Sequence, residues 1–342
     1  MLNEIPRLEH ADASSIEEAR SLLAAYGEKA KVIAGGTDLL GLIKDRISGP
    51  KMPMPEVLIN IGAIPELTVL RYDEARQSLR IGAAVTLTQL EESAIVREKF
   101  PLISQACSSV ATPQIRNVGT VGGNLCQRPW CWYFRNAAFN CFKKGGEGCD
   151  AVTGEHQYYF SVNGLGVCVM SHPSDLAPAL MALGSELEIA SKSGSKRIAL
   201  DRFFLGAREV HETILGPDEF IVAVNVPCPA VAARMAFVKN RIRDTWDFSL
   251  ASAAVVLEMS GAVCTGSRIV LGGLAPFPYR ALDAEEMLRN SRIDKDVATR
   301  TAQKAAGKAK GLRMNKYKLG LGAVVVRDAI LAALACQADM RR

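Results

Sequence analysis

At 342 residues the chain exceeds what one hydrophobic core usually organises, and 49% hydrophobic with 23% charged residues exclude a disordered or low-complexity protein. A net charge of +5, with Lys and Arg interspersed among Asp and Glu, leaves no basic face or arm of the kind nucleic acid requires. Nine cysteines, an odd number, behind a start (MLNEIPRLEH) without an apolar signal core predict reduced thiols or metal ligands rather than a disulfide framework.

Ser15 followed by Glu18 predicts a capping box. Ile16, Ala19, Leu22, Leu23 and Tyr26 then share one helical face, and Gly27 stops the helix. AKVIA reads as a short buried strand, GGT as a turn and DLLGLIKDRI as a helix. EVLINI and LRIGAAV read as strands, Thr86 as the cap of a helix through Leu90, and PLISQACSSVA as another helix. Past a cysteine-rich stretch, HPSDLAPALMALG predicts a helix capped by Ser174 or Asp175 and ended by Gly184, and SELEIAS a strand. VNVPCPA, with Pro227 and Pro229, is the best boundary, because proline cannot donate to a sheet ladder. ASAAVVLEM and RIVLGGLA follow as strands, with helices from about Ala284 onward. The most apolar stretch, Leu319 to Ala338, carries Arg327 and Asp328 near its middle and therefore predicts a buried terminal helix rather than a membrane span. No fixed-period repeat is present. The order predicts an α+β chain: a small N-terminal unit, a middle domain with an insertion, and a C-terminal α+β domain.

VIAGGTDLL sets two glycines between a strand and a helix start, where several backbone amides and the helix dipole can meet one anion, such as a diphosphate. The plainer alternative is a tight turn with Thr37 as N-cap. IRNVGTVGGNL offers Gly122 and Gly123 flanked by Thr120 and Asn124, whose side chains can bond a polar ligand. Two such loops favour a dinucleotide. Neither is GxGxxG, and there is no GxxxxGK[ST], so the nicotinamide and nucleoside triphosphate routes are not supported.

Five cysteines, Cys126, Cys131, Cys141, Cys149 and Cys168, crowd the stretch after the second loop. Four thiolates can ligate a [4Fe-4S] cluster or a structural zinc, and spacing alone does not separate the two, although the lack of a CxxC pair disfavours zinc. Trp130, Trp132, Tyr133, Phe134, Phe139 and Phe142 surround the first of these thiols and predict either a water-excluding wall or a local apolar core. Gly145, Gly146 and Gly148 predict a tight turn before Cys149. His156 and His172 read as solvated or hydrogen-bonded loop histidines rather than ligands, and Cys107, Cys228, Cys264 and Cys336 as core thiols.

The ordered series VIAGGTDLL, IRNVGTVGGNL and SDLAPALMALG resembles the FAD-binding subunit of the molybdenum hydroxylases, a family that includes xanthine dehydrogenases, aldehyde oxidoreductases and carbon monoxide dehydrogenases. DEFIVAVNVP, FVKNRIRDTWDFSLASAA and RIVLGGLAP extend the likeness over nearly the whole chain. The resemblance implies a two-part FAD-binding domain of the molybdopterin dehydrogenase (PCMH-like) type, with subdomains over 1–57 and 58–226. An iron–sulfur insertion falls at about 125–170, and a C-terminal α+β domain of the CO dehydrogenase flavoprotein type covers 230–342.

Position by position, Lys31, Val32, Ile33, Ala34, Gly35, Gly36, Thr37, Asp38 and Leu39 resemble the first pyrophosphate loop, and Thr120, Gly123 and Asn124 the second loop near the flavin. Val110 and Ala111 are its apolar neighbours. Asp175 resembles an aspartate that hydrogen-bonds the cofactor, Ile221 an apolar contact after the acidic pair Asp218 and Glu219, and Lys239 a basic residue near the isoalloxazine. The plain alternatives are a helix cap for Asp175, core for Ile221 and a surface charge for Lys239.

Two branches of the family carry a cluster in such an excursion: the 4-hydroxybenzoyl-CoA reductase β subunit and the flavin subunit of certain bacterial aldehyde oxidoreductases. Their pattern selects Cys131, Cys141, Cys149 and Cys168 as ligands and leaves Cys126 as a fifth, non-ligating thiol. QRPWCWYFRN and HPSDLAPAL look nearer the aldehyde branch, whereas NLC is also similar to the reductase branch.

The implied role is an electron outlet. Substrate is oxidised at molybdenum on a large subunit, a small subunit with [2Fe-2S] clusters relays electrons, and FAD on this chain delivers them to an external acceptor, so no catalytic acid, base or nucleophile of this chain is expected. The competing reading from another class is a cofactor-free assembly module with structural zinc. A self-sufficient flavin oxidase would need an acid–base pair beside the flavin, and the loops show none. The cytoplasm is the expected location, or the periplasm if a partner carries a twin-arginine signal.

Overall fold

The computed structural model describes residues 5–307 and 309–335. Its strands form one parallel three-stranded sheet and two antiparallel five-stranded sheets. The N-terminal sheet runs in the order Glu9–Asp12, Val57–Asn60, Ala30–Ile33. Parallel strands need a crossover, and helix Ile16–Tyr26 supplies it between the first and the last of these. Ser15 caps that helix through the Glu18 amide at 3.1 Å, and Gly27, at φ 57°, ends it. The expected capping box does not close. The Glu18 carboxylate turns to Ser14, whose N–H and hydroxyl both donate to one of its oxygens (2.8 and 2.6 Å). At Thr86 the box is complete, with Gln89 reciprocating, and starts helix Leu87–Glu92.

The central sheet runs Leu70–Asp73, Ser78–Gly82, Phe220–Pro227, Glu186–Ser191, Gly194–Ala199. Phe220–Pro227 lies in its middle and is shared between two cores. Phe220 and Val222 pack with the N-terminal unit, while Ile221, Val224 and Val226 pack with Leu79, Ile81 and the helices Pro101–Ser108 and Leu176–Ala182. The two edge strands are mostly polar, which is why neither stands out in the sequence.

The third sheet pairs Arg234–Asn240, Ala251–Ser260, Val263–Gly272 and Tyr279–Arg280. Helices Leu282–Leu288, Lys295–Ala306 and Tyr317–Ala335 follow it, and their apolar residues share one core with the sheet. Along Ala251–Ser260 the side chains alternate between two cores: Ala253, Val255 and Leu257 face these helices, and Ala254 and Val256 face the central core. A strand buried on both sides reads as a continuous apolar run, as ASAAVVLEM does. Arg327 and Asp328 pair at 2.8 Å on the half-exposed side of the last helix. No helix among the described residues is long and apolar enough to cross a membrane.

The excursion after the second glycine stretch has only single turns of helix and folds around its own small core of Cys131, Phe134, Cys141, Ala151, Phe160 and Val169, joined by Leu42 and Ile47 from the first glycine unit. It is tied down on both sides. Lys318 is fully buried, and its Nζ donates to the carbonyls of Tyr158, Phe160 and Gly273 at 2.7–2.8 Å. Burial pushes its pKa down to about 7, yet three carbonyl acceptors need three N–H donors, which only the ammonium has. His156 is buried, with Nδ1 donating to Ala151 O at 2.8 Å and Nε2 accepting from Met314 N–H at 3.0 Å, so neither ring nitrogen is left for a metal. His172 is buried as well. Its Nδ1 accepts from the Ser174 amide, its ring meets Phe204 edge-on, and burial pushes its pKa down to about 3, so it stays neutral. Of the two expected alternatives, solvated or hydrogen-bonded, both histidines take the second, and they do so buried rather than on a surface loop.

The aromatic residues divide. Phe134 is sealed inside, but Trp130, Trp132 and Phe139 are about two-fifths exposed, so they do not form a continuous wall around the thiols. Gly145 (φ 97°) and Gly146, where a Cβ would stand 2.2 Å from Asn140 O, require glycine, whereas Gly148 meets open space. Cys107 and Cys264 are core thiols and Cys228 is half-buried; Cys336 lies outside the described residues.

Candidate functional site

The two glycine stretches meet. A Cβ on Gly35 would stand 2.0 Å from the carbonyl oxygen of Val118, so only glycine lets the first loop lie against the approach to the second. Gly36 follows at φ 70°, in the left-handed region. Among the described residues no internal acceptor is found for the amide N–H groups of Gly35, Gly36, Thr37, Asp38 and Leu39. Helix Leu39–Lys44 begins at Asp38 rather than Thr37, and Asp38 makes no capping bond to it. A row of unpartnered amides on a glycine loop is a cradle for anionic oxygens.

The second stretch behaves differently and is helical rather than the expected loop. Thr120 caps a short helix, Val121–Cys126, and Gly122, Gly123 and Asn124 lie inside it. Their amides are already occupied: Gly122 N–H donates to Ala83 O, Gly123 N–H to Thr120 Oγ1, and Asn124 N–H to Thr120 O. Gly122 is needed for contact, since a Cβ there would stand 3.0 Å from the Ala83 methyl. What this helix offers a ligand is a surface of small residues, together with the Asn124 amide group that Ser174 Oγ orients at 2.5 Å.

Two cavities open on either side of this junction and share Thr37, Asp38, Thr120 and Gly123 as lining. The larger, about 340 Å³, is lined by every residue from Lys31 to Leu39 and by Met52, Met54, Arg128, His211 and Ile221. The smaller, about 130 Å³, is lined by Val110, Ala111, Asn124 and Ile115, with Trp130, Trp246 and Phe248 as aromatic walls. Together, joined at the polar residues Thr37, Asp38 and Thr120, they offer room for a ligand with two flat groups linked by a diphosphate. Burial and then Arg128 push the Lys31 pKa down, and burial and Arg128 do the same for His211. Glu212, buried between Arg128 and Lys143, is the compensating anion. Ala111 (φ 41°) and Trp246 (φ 72°) both sit in the left-handed region and are pinned together by Trp246 N–H to Ala111 O at 2.9 Å, a strained pair held at the smaller cavity's rim.

Asp175 and Lys239 are brought together, but neither lines either of these two cavities. They form a buried ion pair at 2.6 Å, and Lys239 also donates to Ser109 O, one residue before Val110. Burial pushes the Asp175 pKa up and Lys239 opposes it. Ser174, not Asp175, makes the cap of the following helix, through Ala177 N–H at 2.9 Å. Sequence reading missed Arg128, His211, Trp130, Trp246, Phe248 and the MPMP segment as cavity lining. Only the alternating prolines of MPMP carry a local signal.

The four selected thiols converge within the excursion. Cys149 is near enough to Cys131 and Cys141 for its charge to act on both, and Cys168 donates its S–H to Cys149. That bond pulls the Cys149 pKa down to about 6 and pushes that of Cys168 up; burial pushes Cys131 up to about 12 and Cys141 up as well. Each sulfur accepts backbone N–H groups: Cys131 from Phe134 and Tyr133, Cys141 from Lys143 and Lys144, Cys149 from Val169, Ala151 and Val152, and Cys168 from Met170. Lys143 and Lys144 are buried beside them. Cys126 stands apart, half-buried, and lines the larger cavity instead. Among the described residues no group of three or more His, Cys, Asp or Glu side chains is arranged to hold a metal ion.

Residues 6–229 match the family described as the FAD binding domain in molybdopterin dehydrogenase, and residues 236–333 the CO dehydrogenase flavoprotein C-terminal domain. The chain is 35% identical over 263 residues to the aldehyde oxidoreductase FAD-binding subunit PaoB of Escherichia coli (strain K12), covering 76% of this chain and 79% of that protein. It is 29% identical over 335 residues to the carbon monoxide dehydrogenase medium chain of Hydrogenophaga pseudoflava, covering 96% and 98%. A solved carbon monoxide dehydrogenase from Hydrogenophaga pseudoflava, lacking the Mo-pyranopterin moiety of its cofactor, superposes with a TM-score of 0.76 at 28% identity, over 96% of this chain and 98% of that one. The chain therefore belongs to the FAD-binding medium subunits of the molybdenum hydroxylase family, the flavoprotein subunits of oxidoreductases.

Proposed function

We propose that this chain is the FAD- and [4Fe-4S]-carrying electron outlet of an aldehyde oxidoreductase- or xanthine dehydrogenase-like complex, whose substrate is oxidised on a molybdenum-bearing large subunit and whose [2Fe-2S] small subunit lies between. FAD, when bound, supplies a carrier that exchanges electrons singly or in pairs. This chain's residues do the rest. The free amides of Gly35 to Leu39 hold the diphosphate, Lys31 and Arg128 balance its charge, and Ile221 with the methionines of MPMP encloses one flat end. Val110, Ala111, Thr120, Gly123 and Asn124 enclose the other, with Trp130 and Trp246 limiting water. Asp175 and Lys239 position the Ser109–Ala111 wall from behind. The units proposed are residues 1–57, 58–226 and 230–342.

Cys131, Cys141, Cys149 and Cys168 are the proposed cluster ligands. The observation that carries this is the gathering of the four sulfurs in one pocket, where backbone N–H groups and buried Lys143 and Lys144 offset part of the rise that burial imposes on the thiols. Anaerobically purified protein should contain iron and acid-labile sulfide with a broad visible shoulder beside the flavin bands; zinc without iron would refute the cluster. The 35% identity to an aldehyde oxidoreductase subunit favours that branch over a 4-hydroxybenzoyl-CoA reductase β subunit. The cytoplasm is the proposed location, or the periplasm by export with a twin-arginine partner.

A further inference from the structure

The thiol excursion and the first glycine loop share one carboxylate. Asp38 lines both cavities, and its helix start leaves it uncapped, so no bond within its own loop fixes the side chain. Both of its oxygens go to the excursion instead: Oδ2 accepts from the Arg128 amide at 2.9 Å and Oδ1 from Arg135 Nη2 at 2.5 Å.

Arg135 is held firmly at the other end. Its Nε donates to Pro129 O at 2.8 Å, its Nη2 also to Arg128 O at 3.1 Å, and its guanidinium stacks 4.4 Å over the Trp130 ring. Its own amide donates to Cys131 O at 2.9 Å, which puts a proposed cluster ligand and the guanidinium on one turn of chain around the sealed Phe134. The side chain is only 12% exposed. A second tie runs parallel: Lys51 N–H, on the wall of the larger cavity, donates to the carbonyl of Lys144, next to the Cys141 turn.

We propose that Arg135 is a positioning residue through which the closed thiol excursion sets the first glycine loop, so that the chain's affinity for FAD depends on the state of the excursion. A fork that fixes both the carboxylate and the local backbone can transmit such a shift, because Asp38 ties the loop that carries the unpartnered amides directly to the excursion. The inference rests on FAD lying against Gly35 to Leu39.

The test is FAD titration of the deflavinated full-length chain, read by flavin fluorescence, with the melting temperature of each flavin-free variant measured alongside. Arg135→Ala should weaken FAD roughly tenfold, the size of a typical coupling between sites. Arg135→Lys, which keeps the charge and loses the fork, should fall between Arg135→Ala and the unmodified chain. Asp38→Asn combined with Arg135→Ala should bind no worse than the weaker single variant, because both remove one contact. Should Arg135→Ala fail to fold, Arg135→Lys and Asp38→Asn carry the comparison. Unchanged FAD affinity in these variants, or losses that add in the double variant, would overturn the inference. Failure of the unmodified chain to take up FAD would instead refute the site reading on which it rests.

Discussion

GGT at Gly35–Thr37 and GGN at Gly122–Asn124 are nearly the same letters with opposite uses. In the first, glycine frees a loop: its amides have no internal acceptor, and its shape is set by a close approach to Val118 and by a left-handed φ. In the second, glycine permits packing: its amides close onto Ala83 and Thr120, and the chain is helical. The difference teaches that glycine pairs mark anion sites only where their N–H groups remain unpaired, and that state is decided by residues distant in sequence.

The largest effect should come from Gly35→Ala, which drives a Cβ to 2.0 Å from a backbone oxygen that cannot yield without moving the second stretch. We expect a loss of about 4 kcal/mol in stability and a colourless purified protein, read by denaturant unfolding and flavin content. Lys239→Met comes next, at about 3 to 5 kcal/mol, because it strands the buried Asp175 carboxylate. Its pH dependence has a definite sign. Without the ammonium the folded-state pKa of Asp175 rises further above its unfolded value, so between the two values the folded chain keeps a proton that the unfolded chain has released. The destabilisation should therefore grow as pH rises from acid towards neutral, and a melting-temperature difference no larger at pH 8 than at pH 5 would contradict the pairing. Gly123→Ala should be smallest, below about 1 kcal/mol, since its Cβ meets only the Thr120 hydroxyl and helix propensity favours alanine. A loss as large as that of Gly35→Ala would erase the contrast.

Much of the fold was legible because its signals are local. The Ser15 and Thr86 caps, the apolar face ending at Gly27, and the two-sided apolar run of ASAAVVLEM all state their surroundings within a few residues. Glu9–Asp12 and Gly194–Ala199 were not legible, since they are polar edge strands defined by the partner they pair with. At the site, Lys31 to Leu39, Val110, Ala111, Asn124 and Ile221 were placed by ordered motifs and do line the crevice. His211 was invisible because it enters from a segment with no motif of its own, and Arg128 and Trp246, though inside quoted motifs, carry no local sign that their side chains turn to the cavity. The mutual pairing of Asp175 and Lys239 was equally hidden, since they are far apart in the chain and meet only through folding. His156 shows the same limit from the other side, a buried two-sided clasp that reads as an ordinary loop histidine until Met314 and Ala151 are seen around it.

Amide hydrogen exchange of the flavin-free chain, with and without added FAD, tests the central contrast most directly. The account predicts fast exchange at Gly35 to Leu39 that slows sharply once FAD is present, and slow exchange at Gly122 to Asn124 that FAD barely alters. Slow exchange in the first stretch without FAD, or a gain of protection confined to the second, would contradict it.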